Sequence, residues 1–342
     1  MTIQQRSSNW TVGSSKDQPD KRRLINLTCH RRHPPAAQYT RILRIGPVWL
    51  ETPGPLLPPS MRQTLWRFFR KPRKYAIDYL SRHIIPFLVS VDELTLLLDQ
   101  HIFLKAPPSL ISDTLWISLN PRLRKLNYRG TIEDLQQILS PTPRNSPPNL
   151  THLVIYFYAH LQWSAIPIAN IAVFVAFVQS LEQTLESLSL RIPTRPTSIL
   201  LKLPHFPRLE HLNIHLDTYD ISPEASVAFA LFLSTHREYL KTLALCMYPE
   251  LSHSTQIFRD FCNTSFPLLH TLMLDNTQDF VERTEAFPHV PSLQSFVSGG
   301  RNLSKETMIK IRERASPSQP TIVSRNRLVV EFGLLAGIVR IF

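Results

Sequence analysis

Phe206-Pro207-Arg208-Leu209-Glu210-His211-Leu212-Asn213-Ile214 is the stretch that decides the fold. Counting Leu209 as position 1, apolar side chains stand at positions 1, 4 and 6. The phrase returns as Leu185-x-x-Leu188-x-Leu190, Leu240-x-x-Leu243-x-Leu245 and Leu269-x-x-Leu272-x-Leu274, and weaker copies start at Val91, Leu123, Leu150 and Leu293. Successive starts lie 32, 27, 35, 24, 31, 29 and 24 residues apart. A recurrence of about 29 residues is the signature of stacked supersecondary units. No single unit can bury its apolar face alone, so neighbours must stack and their strands must pair in parallel.

The expected fold class is therefore α/β: a leucine-rich-repeat-like solenoid with a parallel concave sheet and helices on the convex side. Positions 1, 4 and 6 point inward, and positions 3, 5 and 7 share the concave surface. That surface should carry Lys125, Asn127 and Arg129, then His152, Val154 and Tyr156, then Ser187, Ser189 and Arg191. His211, Asn213 and His215 follow, then Thr242, Ala244 and Cys246, then Thr271, Met273 and Asp275. The polar members of this set are the candidate binding residues.

Five copies carry proline two residues before position 1: Pro121, Pro148, Pro207, Pro267 and Pro291. The expectation is that proline stands at the strand entry, where its missing N–H is not needed by a ladder. Helices are expected between the phrases. Thr131 and Asp134 suggest a capping box ahead of Ile132, Leu135 and Leu139. Ser222-Pro223-Glu224 is a helix start, followed by Ala225, Ala228, Phe229, Phe232 and Leu233 at helical spacing. Ile257, Phe258, Phe261 and Cys262 form another such face, and Ser304 opens a last helix with Met308 and Ile311 inward.

Four regions follow. Residues 1–38 read as a disordered, basic lead-in with Lys21-Arg22-Arg23 and Arg31-Arg32. Residues 39–86 read as a divergent cap region that holds a degenerate strand, Tyr39 to Ile45, and a basic-aromatic helix. Residues 87–300 are the repeat array, and 301–342 a C-terminal helix and tail.

The phrases beginning at Phe206 and Phe266, with Leu233-x-x-His236 ahead of Leu240, resemble the F-box and leucine-rich-repeat-like proteins of mushroom-forming fungi. The resemblance covers roughly residues 87–300. It implies a repeat wall that holds a substrate polypeptide, and an F-box that docks onto a ubiquitin-ligase scaffold. The chain departs from that pattern twice. No Leu-Pro-x-Glu phrase followed by apolar helices occurs in the first 90 residues, which takes support from the scaffold as a partner. Position 9, usually asparagine, holds Pro193, Asp217, Tyr248 and Thr277.

Composition narrows the function. The net charge is +12, and residues 1–150 carry all of it, with 22 Lys+Arg against 10 Asp+Glu. Such asymmetry suits an acidic partner or a targeting element. Arg62, Arg67, Arg70, Lys71, Arg73 and Lys74 surround Trp66, Phe68 and Phe69, a mixture that could stack on bases and neutralise phosphates. It could equally lie on an anionic membrane, act as a nuclear-import signal, or be a surface helix with solvated charges, the reading favoured here. Only 8 glycines are present, with no phosphate-cradling motif, which argues against a nucleotide-binding domain. Three scattered cysteines suit neither a disulfide framework nor a zinc site. His211 and His215 would sit roughly 13 Å apart on a strand, too far to share a metal. Gly-x-Ser-x-Gly is absent, and Cys246 reads as packing rather than as a nucleophile.

The polar start, Met1 to Asp20, predicts no secretory leader, and Ile166 to Val178 is too short to cross a bilayer. The expectation is a non-enzymatic protein without cofactor or metal, cytoplasmic or nuclear, that binds another protein. A nucleic-acid partner for the basic half is the alternative.

Overall fold

The computed structural model describes residues 9–12, 41–45, 90–97, 119–139, 147–157, 168–193, 202–217, 223–247, 261, 263–275, 287–299, 305–315 and 320–325. It divides into two compact units, Met1–Leu150 and Thr151–Phe342.

In the first unit, β1 (Asn9–Val12), β2 (Ile42–Ile45), β3 (Glu93–Leu97) and β4 (Lys125–Gly130) pair in chain order, all parallel. Helix α1 (Ile132–Leu139) follows β4. In the second unit, β5 (His152–Phe157), β6 (Ser187–Pro193), β7 (His211–Asp217), β8 (Thr242–Met247), β9 (Thr271–Asp275), β10 (Ser295–Gly299) and β11 (Thr321–Arg325) also pair in order and in parallel. Helix α2 (Ile168–Gln179) joins β5 to β6, α3 (Pro223–His236) joins β7 to β8, and α4 (Lys305–Arg314) joins β10 to β11. Each unit is thus an α/β assembly on an all-parallel sheet.

The apolar phrase explains the core directly. All 24 residues at positions 1, 4 and 6 of the eight copies are at most 2% exposed, including Tyr128 and Ser298, which replace the usual aliphatic residue at position 6. Each of the eight strands begins at position 3. Position 1 therefore belongs to the turn that delivers the chain, and positions 4 and 6 to one face of the sheet. Phe157 of β5 meets Phe174 of α2 edge-on, with ring centroids 5.5 Å apart. Phe206 and Phe232 of α3 do the same at 6.3 Å.

Register is set at one backbone atom per coil. The position-2 carbonyl accepts N–H groups from positions 2 and 3 of the next coil. Glu210 and His211 both donate to Glu186 O, Lys241 and Thr242 to Glu210 O, and His270 and Thr271 to Lys241 O. The same arrangement recurs at Arg41, Asp92, Thr151 and His270. Only Thr321 reaches Gln294 O, because the preceding residue is Pro320 and has no N–H.

The prolines do not stand at the strand entry. Pro148, Pro207, Pro267 and Pro291 are the second residues of four-residue turns, closed by bonds from Leu150, Leu209, Leu269 and Leu293 N–H to the carbonyls of Pro147, Phe206, Phe266 and Val290. Proline's fixed φ suits that position. Pro121 lies in a short 3-10 helix, Asn120–Arg122. The residue that opens each proline turn is itself buried, a row of core positions not contained in the apolar phrase. Three other coils enter from a helical ending: Leu123, Leu185 and Leu240 N–H reach the carbonyls of Leu119, Leu181 and His236.

Helix α1 starts one residue after Thr131, whose carbonyl accepts both the Leu135 N–H and, at 2.5 Å, the Tyr128 hydroxyl. Replacing Tyr128 by phenylalanine should therefore cost about 1 kcal/mol in a denaturant titration, the worth of one buried hydrogen bond without a change of shape. Helix α3 starts at Pro223 and buries Phe229, Phe232 and Leu233, and α4 buries Ile311. Helix α2 carries no helical periodicity in its sequence, yet buries Ile171, Phe174, Val175, Phe177 and Val178. Strands β1 and β11 extend the pairing into stretches read as lead-in and tail. Of the segment Ile257 to Cys262, only Phe261 lies within the described residues, and it is buried. No helix among the described residues is long and apolar enough to cross a membrane.

Candidate functional site

Parallel, unshifted register turns positions 3, 5 and 7 into rows that run across the strands on the face opposite the leucines. In the second unit the first row is His152, Ser187, His211, Thr242, Thr271 and Ser295. The middle row is Val154, Ser189, Asn213, Ala244, Met273 and Val297, and the third is Tyr156, Arg191, His215, Cys246, Asp275 and Gly299. In the first unit Glu93 and Lys125, Thr95 and Asn127, and Leu97 and Arg129 are neighbours in the same way.

Every candidate binding residue thus falls at its expected row position, but the rows are not equally open. The middle row is sunk: Ser189 is 2% exposed, Asn213 6% and Ala244 8%. Strands stand only about 4.8 Å apart, so small side chains between taller rows lose contact with water. Asn127 at 6% and Ser187 at 2% are covered as well. The wall expected to be open is therefore half-buried along much of its outer rows and closed along its middle row except at Met273. His152, His211, His215, Lys125, Arg129, Tyr156, Arg191 and Thr271 remain half-buried.

Several of these side chains already have partners. Lys125 Nζ lies 3.4 Å from Glu93 Oε2 in the same row. The Arg191 guanidinium sits over the Tyr156 ring, 4.3 Å from its centroid, a cation–π contact that holds the charge on the face. His152 Nδ1 is 2.8 Å from the Thr151 hydroxyl. His215 Nε2 lies 3.6 Å from Cys246 Sγ. His215 and Cys246 both stand at position 7 of consecutive coils, a spacing in the sequence that brings them side by side.

Others have lost water without replacement. Ser189 Oγ, Asn127 Oδ1 and His211 Nδ1 are buried atoms without a hydrogen-bond partner. Desolvation lowers the His211 pKa first of all, and Lys241 adds to it, against the opposing pull of Glu210 and Glu186. Burial thus favours the neutral imidazole at His211. Glu186 and Glu210 lie at the start of the strands and are ion-paired, Glu186 with Arg208 at 2.9 Å and Glu210 with Lys241 at 2.7 Å. Arg41 pairs with Asp92 in the same manner.

Among the described residues, no group of three or more histidine, cysteine, aspartate or glutamate side chains comes together to hold a metal. The basic residues Arg62, Arg67, Arg70, Lys71, Arg73 and Lys74 lie outside the described residues. No family model matches this chain, and no curated protein matches it in sequence.

Proposed function

We propose that the protein is a non-enzymatic interaction scaffold: a leucine-rich-repeat-like solenoid whose concave sheet face holds another polypeptide, in the manner of a substrate receptor. The observation that carries this reading is the row geometry. A repeat that buries positions 1, 4 and 6 of each copy while aligning Tyr156, Arg191 and His215 in one row and His211 in another on the opposite face supplies a rigid wall of polar side chains. Binding groups held on rigid strands lose little entropy on association.

Alanine replacements at Lys125, Arg129, Tyr156, His211 and His215 should reduce partner recovery in affinity purification while leaving the thermal transition within a few degrees of the parent. Unchanged recovery sinks the assignment of that surface.

The charge of residues 1–150 favours a second reading, association with nucleic acid. It predicts RNA or DNA binding that weakens steeply with salt and is lost on deletion of residues 1–74. Binding that stays flat across a salt titration removes it.

A further inference from the structure

The buried row loses its cover at its last strand. Ile322 of β11 stands in register with Phe296 of β10, so it takes position 4 of a ninth coil. Position 4 is at most 1% exposed in all eight coils before it, yet Ile322 is half-buried. Helix α4 belongs to the same coil, and there Ile309 is 53% exposed and Met308 half-buried. Among the described residues β11 is paired on one side only, with β10. In a stack of coils each unit is covered by the next, so a terminal unit shows apolar surface unless a cap closes it. Its outer strand also carries unpaired backbone groups, a template on which another chain can add.

The sequence that follows this edge has the composition to cover it. β11 ends at Arg325, and residues 328–342, which lie outside the described residues, begin three positions later. Eleven of these fifteen are apolar, and only Glu331 and Arg340 carry charge. Fifteen residues are too few to cross a bilayer, which takes about 20. Left in water, such a run keeps its apolar area exposed, and burial against another apolar surface is favoured. The distance is short as well. Three residues of chain reach about 10 Å, whereas the place beside a strand lies about 4.8 Å away. We propose that residues 328–342 dock on the outer edge of β11, where they cover Ile322 and keep that edge from pairing with a second copy of the chain. The occupant is thus a segment of the same molecule. The inference is independent of what the sheet face binds.

The test uses the full chain. A benzophenone amino acid placed at Thr321, an exposed position of β11, is irradiated and its crosslinks are mapped by mass spectrometry. Crosslinks should fall within residues 328–342 of the same copy, which a mixture of unlabelled and nitrogen-15 chains establishes. A second full-length variant, Val330→Asp with Leu334→Asp and Ile338→Asp, removes the apolar character of the run and leaves every described residue in place. Hydrogen exchange of β11 should then quicken at least about tenfold, as for a segment that has lost its cover, while β5 to β8 exchange as in the parent. Sedimentation velocity should show the parent monomeric and the variant associating as its concentration rises. Crosslinks that join two copies, or that miss residues 328–342, overturn the inference. Unchanged β11 exchange in the folded variant overturns it too. If the triple variant does not fold, the crosslink map alone decides.

Discussion

Leu212→Ala is expected to lower the unfolding free energy by about 3–4 kcal/mol, the range for emptying a fully buried leucine site. Leu212 is 0% exposed, and its register neighbours Leu188 and Leu243 are equally buried, so no water can enter to relieve the void. Leu212→Asp should go further and prevent folding of the second unit, since an unpaired carboxylate in that row has no donor to meet. Thr242→Ala is the control. Thr242 lies at position 3 of the neighbouring strand, half-buried on the opposite face, and its loss should cost under about 1 kcal/mol. Urea titrations with both circular dichroism and tryptophan fluorescence read the difference. If Leu212→Ala and Thr242→Ala proved equally mild, the leucine row would not be the core.

The second large effect concerns His236. Its imidazole is 0% exposed at the end of α3. Nδ1 donates to the Phe232 carbonyl at 2.6 Å, which leaves Nε2 free to accept the Phe206 N–H at 2.9 Å. In the coil that begins at Phe266, the equivalent N–H is satisfied by a backbone oxygen, that of His289. There the following coil enters by a proline turn. After Phe206 the following coil is entered from the end of α3 instead, and a side chain of the right length takes over. His236→Leu should therefore cost about 2–3 kcal/mol, because a buried amide loses its acceptor. His236→Gln can in principle offer an amide oxygen and should cost less.

The same arrangement predicts acid sensitivity. Burial lowers the His236 pKa from 6.5 to about 4, against the opposing Phe232 hydrogen bond, and His205 adds to the lowering. Below pH 6.5 the unfolded chain takes up a proton that the folded chain refuses. The stabilisation is complete above that pH and is lost progressively down to about pH 4, amounting to about 3 kcal/mol in all. A pH series of melting curves should show this loss in the parent and a shallower one in His236→Leu. Parallel slopes would show that another group controls the acid limb.

Much of this was legible in the residues alone. The interval between leucines sets the face of the eight strands that carry the phrase, but not their starts, which fall at position 3 rather than at a proline-marked entry. Pro223 marked the beginning of α3 by a local signal. What escaped had causes outside the phrase. The partner of His236 is a backbone N–H 30 residues upstream, which no side-chain pattern records. Helix α2 is apolar on nearly every face, so it shows no period to read. The prolines were recognised, but their place in a turn depends on a hydrogen bond that closes behind them. Alternation along the strands places positions 3, 5 and 7 in common rows, while the depth of Ser189 and Asn213 depends on the height of their neighbours across the sheet. Alternation predicts a direction, not how much water reaches it.

A carbonyl that greets two amides of whatever coil comes next has an evolutionary corollary. The junction asks little of the newcomer beyond a pair of hydrogens and a matching apolar edge. Intervals of 24 to 35 residues already satisfy it in this chain. Gene segments encoding whole coils could thus be duplicated or dropped with the splice falling silently in the connecting loops, lengthening or shortening the wall while each surviving rung keeps its alignment.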